Sequence, residues 1–165
     1  MTRTQYFGKY RGTVVSNTDP ELRARLQAIV PDVLGMQPTS WAMPAVPYAG
    51  PGAGFVALPP VGTGVWIEFE QGDPDFPIWS GAWWGSAAEL PAPTPPPGAN
   101  QITLVTPGRH SVTISDVQGP TGGVTLRTSS GARITVNNTG IVIDNGQGAS
   151  ITLTGNTVHI AGVRV

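Results

Sequence analysis

The stretch SVTISD (residues 111–116) opens a series of short runs in which apolar residues recur at every second position. The runs that follow are GVTLRTS (123–129), ARITVNN (132–138), GIVIDN (140–145), ASITLTG (149–155) and NTVHIAG (156–162). Such alternation predicts β-strands with one apolar and one polar face. The segment holds few large side chains with which a single copy could build a core. We therefore expect its strands to pack against copies of themselves.

The apolar positions of these runs define the predicted core of such an assembly. They are Val112, Ile114, Val124, Leu126, Ile134, Val136, Ile141, Ile143, Ile151, Leu153, Val158 and Ile160. Thr, Ser, Asn and Arg fill the outward positions, and an isolated meander of β-branched runs would expose edges that aggregate. Winding three chains around one axis would pair those edges and bring the apolar side chains together. We predict an intertwined trimeric β-helix, or β-prism, over residues 101–165.

A proline-rich segment, ELPAPTPPPGAN (89–100), separates this region from the rest of the chain. Five prolines between positions 91 and 97 favour a polyproline II spacer of about 22 Å, a stiff joint between two folds. A merely disordered linker is the alternative interpretation.

Residues 1–88 are predicted to form a different, compact β-domain. Strands are expected at residues 10–15, 23–30, 55–58, 64–70 and 77–83, with Gly- and Pro-rich connections between them. Five such strands fit a small Greek-key barrel of the OB type, so the whole chain is predicted to be all-β. The connection from residue 35 to 54 is long for so small a domain and is expected to form a contact surface.

Composition excludes several classes of function. Charged residues make up 12% of the chain, the net charge is −1 and there is one lysine, so an electrostatic nucleic-acid binder is not expected. Residues 1–97 carry five basic and eight acidic side chains, and residues 98–165 carry four and two. Without cysteine there are no disulfides or thiolate metal sites. The amino terminus lacks the apolar core of a secretory signal, which predicts synthesis in the cytoplasm.

Residues 6–85 resemble a known domain. The pieces that carry the resemblance are GTVVSNTDP (12–20), LQAIVP (26–31), SWA (40–42), PYAGPGAG (47–54), ALPPVGTGVWIEFEQGDP (57–74) and PIWSGAWWG (77–85). Their order and spacing are similar to the N-terminal OB domain of the phage baseplate assembly protein V and VgrG spike family. In that family, too, a β-spike segment follows the barrel.

The resemblance implies a homotrimeric central spike of a contractile injection system, such as a phage tail, a tailocin or a type VI secretion apparatus. The OB domains would lie under the tail-tube hub, and the C-terminal needle would pierce the target envelope. The expected partners are the chain itself, the hub and tail-tube proteins, effector cargo and, transiently, the target membrane. The work is mechanical, so no enzyme activity and no cofactor are expected.

Two features of the carboxyl end bear on the tip of such a spike. Some family members bind iron at the apex through a His-x-His pair, whereas here the matching stretch is His159-Ile160-Ala161. We expect no metal site, with His159 as the single candidate axial ligand. The apolar end of the chain predicts a blunt shaft, and the resemblance implies a separate PAAR-type tip protein as its cap.

The remaining candidates are tryptophans and carboxylates. The five tryptophans, Trp41, Trp66, Trp79, Trp83 and Trp84, lie in the acidic half without Lys or Arg between them. They are expected to build the barrel core and interfaces rather than stack on bases, with Trp83 and Trp84 at a hub or subunit interface. Glu68 and Glu70 are expected to share a strand face, and Asp73-Pro74-Asp75 to form a turn.

Two other functions remain as alternatives. One is an OB-fold module that binds nucleic acid or carbohydrate and carries a fibrous trimerising tail. The other is a trimeric polysaccharide-degrading enzyme, which is disfavoured because Asp116 and Asp144 stand alone in the C-terminal region.

Overall fold

A computed structural model describes residues 4–91 and 100–162 of the 165-residue chain. The chain divides into two compact units, Met1–Glu89 and Leu90–Val165. Residues 92–99, which form most of the predicted proline-rich spacer, lie outside the described residues. No helix in the described ranges is long and apolar enough to cross a membrane.

The first unit is a small barrel built on one five-stranded sheet. Its elements in chain order are β1 (Tyr10–Ser16), β2 (Gln27–Ile29), helix α1 (Pro31–Leu34), β3 (Met43–Pro44), β4 (Ala49–Gly50), β5 (Ala53–Gly54), β6 (Gly64–Phe69) and β7 (Pro77–Trp83). Short 3₁₀ turns cover Glu70–Gly72 and Ala87–Glu89. The sheet order is β2-β1-β6-β7-β3, with β3 parallel to β7 and the other pairs antiparallel.

Two isolated bridges bring the sheet round towards closure. Leu26 pairs with Ala42, and Ile29 pairs with Pro38, so the segment that leads into β3 returns to β2. The resulting connectivity, with a single parallel contact between the third and the last barrel strand, confirms the predicted OB-type fold.

The core of this barrel follows the alternation of its strands. Along β6 the inward residues Val65, Ile67 and Phe69 are buried, whereas the residues between them are partly exposed. The other members of the buried cluster are Val14, Leu26, Ala28, Val30, Ala42 and Trp79. Buried and exposed side chains therefore alternate along the strands, and the buried ones from the curved sheet form the core of the barrel.

Two of the five strands expected in the barrel were placed wrongly. Of the strand expected at residues 23–30, only Gln27–Ile29 forms, because Leu22 and Ala24 adopt positive φ angles of 55° and 59° that end the extended run. Residues 55–58 are not a strand at all. The third barrel strand is instead β3, inside the segment that we expected to be a long loop.

The second unit is a seven-stranded antiparallel meander. The strands are β8 (Gln101–Val105), β9 (Ser111–Ser115), β10 (Gly123–Arg127), β11 (Arg133–Asn137), β12 (Gly140–Asp144), β13 (Ser150–Thr154) and β14 (Thr157–Ala161). They lie in sequence order, so both edges of β9 to β13 are occupied within the chain. The case for self-association therefore rests on an exposed face rather than on unpaired edges. A tight turn at Ser129-Ser130-Gly131 joins β10 to β11, and in it the Gly131 N–H donates to the Thr128 carbonyl at 3.1 Å.

Candidate assembly surfaces

The register of the meander aligns its apolar residues into two rows on one side of the sheet. One row is Ile102, Ile114, Val124, Val136, Ile141, Leu153 and Val158. The other is Leu104, Val112, Leu126, Ile134, Ile143, Ile151 and Ile160. We call these 14 residues the apolar face. They include all of the predicted core positions, and β8 adds Ile102 and Leu104, which are not among those positions.

The apolar face is open to solvent in the single chain. Twelve of its members are exposed, from 37% at Ile141 to 65% at Ile102, and Val112 and Leu153 are half-buried. Between the two rows, on the opposite side, runs a mostly hydroxyl-bearing row: Thr103, Thr113, Thr125, Thr135, Val142, Thr152 and His159. A contiguous apolar surface of this extent is typical of a protein interface.

His159 lies on the polar side of the sheet. It pairs in register with Thr152, between Val158 and Ile160, and it is exposed. No cluster of three or more His, Asp or Glu side chains occurs among the residues that the structure describes. Asp144, on β12 of the meander, forms an ion pair of 3.0 Å with Arg133. Among the described residues, therefore, His159 belongs to no group of three or more side chains that could hold a metal ion.

A second candidate surface lies on the barrel, where Trp83 packs directly on Gly64. A side chain at Gly64 would place its Cβ 2.6 Å from the Trp83 ring, so only glycine fits. The Trp83 ring lies 6.3 Å from that of Trp66, and its Nε1 donates to the Val65 carbonyl at 3.3 Å. Trp84 follows and is 60% exposed.

Arg11 completes this surface from the neighbouring strand. Its guanidinium carbon lies 5.1 Å from the centre of the Trp83 ring and 5.9 Å from that of Trp66. We call Arg11, Trp66 and Trp83 the aromatic strip. Although no Lys or Arg lies between the tryptophans in the sequence, strand pairing brings Arg11 opposite Trp66. A single arginine nevertheless provides little electrostatic attraction for a nucleic-acid phosphate backbone.

The tryptophans contribute less to the barrel core than expected. Trp79 alone belongs to the buried cluster, at 6% exposure, and its Nε1 donates to the Ala24 carbonyl at 3.2 Å. Trp41 lies at the surface beneath Arg25, whose guanidinium carbon is 5.8 Å from the ring centre. Trp66 and Trp83 belong to the aromatic strip, and Trp84 is exposed beside the end of β7.

Asp19 organises a loop that includes the first residues of the strand expected at residues 23–30. Its carboxylate accepts hydrogen bonds from the backbone N–H groups of Glu21 (3.0 Å) and Arg23 (2.8 Å). Arg25 donates to the same carboxylate from Nε at 3.0 Å and from Nη2 at 2.7 Å. The pKa of Asp19 is lowered far below its usual range, chiefly by Arg25, and the Asp19 side chain is only 3% exposed.

The consequence of this arrangement is a rigid loop with an exposed leucine. Leu22 is 92% exposed. It lies between Glu21 and Arg23, whose backbone N–H groups both donate to the Asp19 carboxylate. It borders an apolar groove that is also lined by Pro44, Val46, Tyr48, Phe55, Val56 and Trp79. The turn-forming pair Asp19-Pro20, followed by Arg25, is the signal in the sequence that could have indicated this loop.

Asp19 should make the stability of the barrel depend on pH. Because its pKa is lower in the folded state, its contribution is fully present above the unfolded pKa of about 4 and fades as the pH falls below that value. We expect Asp19→Asn to lower the thermal midpoint at pH 7 and the difference from the parent chain to shrink between pH 4 and pH 2. Asp32→Asn, at an exposed aspartate, is the control and should show no such convergence.

Four carboxylates, Glu68, Glu70, Asp73 and Asp75, lie at the end of β6 and in the turns that follow it. Glu68 pairs with Lys9 and accepts a bond of 2.9 Å from Ser80, and Lys9 is the main reason that the pKa of Glu68 is lowered. Asp73 accepts the Asp75 N–H at 3.0 Å, which confirms the predicted turn. Glu70 begins a 3₁₀ turn, so the expectation that it shares a strand face with Glu68 is wrong.

Each of the two units matches a protein-family model. A model described as the type VI secretion system/phage-baseplate injector OB domain matches residues 10–84. A second, the phage baseplate V C-terminal trimerisation domain, matches residues 101–164. The chain belongs to the phage baseplate V and VgrG-like spike family. Its role is that of a structural, trimerising component of a phage or tail-like baseplate.

For this baseplate family member, the trimerisation match covers all seven strands of the meander and therefore the whole apolar face. The OB match ends at Trp84, so it contains the complete aromatic strip. No curated protein matches the chain.

Proposed function

We propose that three copies of this chain form the central spike of a contractile injection baseplate. The meanders pack their apolar faces around a common axis and form a needle, the barrels lie under the tail-tube hub, and the needle pierces the target envelope. The observation that carries this proposal is the apolar face, with two unbroken rows across seven strands, exposed in one chain.

The dimensions of the sheet suit a needle. Seven strands spaced about 4.8 Å apart extend for about 29 Å along the axis. Each strand contributes two apolar side chains, so three copies would place six in every layer. Burying each of these side chains contributes about 1.5–3 kcal/mol, which makes folding of this unit and trimerisation a single, concentration-dependent equilibrium.

The outer side of the proposed needle suits passage through an envelope. Within the seven strands the charged side chains are Arg127, Arg133 and Asp144, and the last two pair with each other. Threonines fill most of the central polar row, and transferring a hydroxyl out of water costs far less than transferring a charge. The backbone ladder spreads load over many hydrogen bonds of about 1 kcal/mol each.

The partners follow from the two ends of this arrangement. Trp83 and Trp84, at the end of β7, are proposed to lie at a hub or subunit interface. The free edge of β14 and the apolar residues beside it suit a PAAR-type tip protein that would cap the blunt end and deliver effector cargo. Neither a nucleic-acid partner nor a metal at His159 is part of the proposal.

Labelling of intact particles tests the spike assignment. With an epitope tag after Val165, gold-conjugated antibody should mark one site on the baseplate axis, at the end away from the tube. Quantitative mass spectrometry of the same particles should give three copies of the chain per particle. Labels around the rim of the baseplate, or six copies or more, would contradict the assignment.

A further inference from the structure

We infer that Asn145 is a site of spontaneous modification that the folded turn promotes. Its side-chain amide is converted to a carboxylate through a cyclic imide formed with the backbone nitrogen of Gly146. Asn145-Gly146 lies in the turn between β12 and β13 and is the one Asn-Gly pair in the sequence. Because glycine has no Cβ, the backbone nitrogen that follows the asparagine is open to close approach. The inference concerns a single chain and does not depend on the proposed trimer.

The turn requires both residues of this pair. Gly146 has a positive φ of 73°, and a Cβ at this position would lie 2.8 Å from the backbone nitrogen of Ala132. Asn145 Oδ1 accepts hydrogen bonds from the backbone N–H groups of Gln147 at 2.8 Å and Ala149 at 3.0 Å. The reactive pair is therefore part of how the turn is built.

The hydrogen bonds of the turn converge on the two groups that would react. The nucleophile is the Gly146 nitrogen, and its N–H donates to Asp144 Oδ1 at 2.7 Å, so a proton acceptor is already in place. The electrophile is Cγ of Asn145, and negative charge develops on Oδ1 when Cγ is attacked. The two N–H groups that donate to Oδ1 are placed like the donors of an oxyanion hole.

The surroundings of the turn supply the remaining requirements. Asp144 Oδ2 is paired with Arg133 at 3.0 Å, which leaves Oδ1 to the Gly146 N–H. Arg133, Asp144 and Gly146 line one open depression. Asn145 and Gly146 are both exposed, so water, the co-reactant of the second step, reaches them.

The reaction has two steps. The Gly146 nitrogen gives its proton to the Asp144 carboxylate and bonds to Cγ of Asn145; the Cγ–Nδ2 bond then breaks, and the side-chain nitrogen takes up that proton and leaves as ammonia. Water opens the imide at one of its two carbonyls, which yields an aspartate or an isoaspartate. Both products add a negative charge next to Asp144. In the isoaspartate the main chain runs through Cβ, so the turn is lengthened.

Peptide mapping by mass spectrometry of the full-length chain at neutral pH tests the inference. Asn145 should convert at least about tenfold faster in the native chain than in the same chain unfolded in guanidinium, because a positioned proton acceptor contributes about 100-fold or more. Asn156, in the turn between β13 and β14 and followed by Thr157, is the internal control and should stay unconverted. Native conversion that is equal to or slower than that of the unfolded chain would overturn the inference.

A pair of variants tests the role of Asp144. Asp144→Ala should slow conversion of Asn145 in the native state by about tenfold or more, since the proton acceptor is removed. Asp116→Ala removes an exposed aspartate outside this turn and should leave the rate unchanged. Equal rates in the two variants would contradict general-base action by Asp144. Circular dichroism checks that each variant is folded, and the comparison of native with unfolded parent chain stands even if Asp144→Ala does not fold.

Discussion

The Ile143→Asp variant is expected to be monomeric. Ile143 is 44% exposed in one chain and lies in the middle of the apolar face, between Ile134 and Ile151 in register. In the proposed trimer each copy would lose about 1.5–3 kcal/mol of apolar burial. Each copy would also bury an uncompensated carboxylate beside two others, at a cost of several kcal/mol per ion. Ile134→Asp is expected to behave in the same way.

The control for this variant introduces the same residue, an aspartate, on the other side of the sheet. Thr152→Asp places the charge on the polar row of the adjacent strand, so it should remain trimeric. Light scattering gives the mass of each variant, and the near-ultraviolet circular dichroism of the barrel tryptophans checks that the first unit is folded. A trimeric Ile143→Asp chain would show that the apolar face does not lie at the trimer axis.

The Leu26→Ala variant is expected to destabilise the barrel by about 2–5 kcal/mol. Leu26 is fully buried, at 0% exposure, and the strand bridge to Ala42 fixes it in the centre of the core. Truncation would leave a cavity that so short a β2 cannot close. Urea unfolding followed by tryptophan fluorescence measures the loss, since Trp79 belongs to the same core.

Leu22→Ala is the matched control, with the same change four residues earlier. Because Leu22 is 92% exposed, its loss should alter the free energy of unfolding by less than about 0.5 kcal/mol. Equal effects of the two substitutions would show that the loop from Asp19 to Arg25 is packed in solution. The pair therefore separates a leucine that stabilises the fold from one that is available for binding.

The meander shows how far a simple pattern can go. The period of two in a strand predicts that residues such as Ile114, Leu126 and Ile143 share one face, and the register of the six strand pairs preserves that face. Ile102 and Leu104 lie inside the region predicted to form the trimeric β-structure, but they are not among the predicted core positions, although β8 alternates like the other strands. Whether strands pair within or between chains is not encoded in such a period, and the turns between them settle it.

The barrel shows where local patterns fail. The polar and apolar residues of the segment 23–26 alternate as in a strand. Asp19 nevertheless accepts hydrogen bonds from the backbone N–H groups of Arg23 and Arg25 and from the Arg25 guanidinium, and these bonds hold the chain in a loop. That contact spans six residues and depends on the buried position of the carboxylate. Likewise, Arg11 and Trp83 are 72 residues apart, and only the pairing of β1, β6 and β7 brings them together.

The mass of the full-length chain in solution tests the central claim most directly. Sedimentation equilibrium over a range of concentrations should give three times the chain mass of 17.2 kDa, with no stable folded monomer of the C-terminal unit at the lowest concentrations. A chain that remains a well-folded monomer at all concentrations, with the apolar face exposed, would contradict the account.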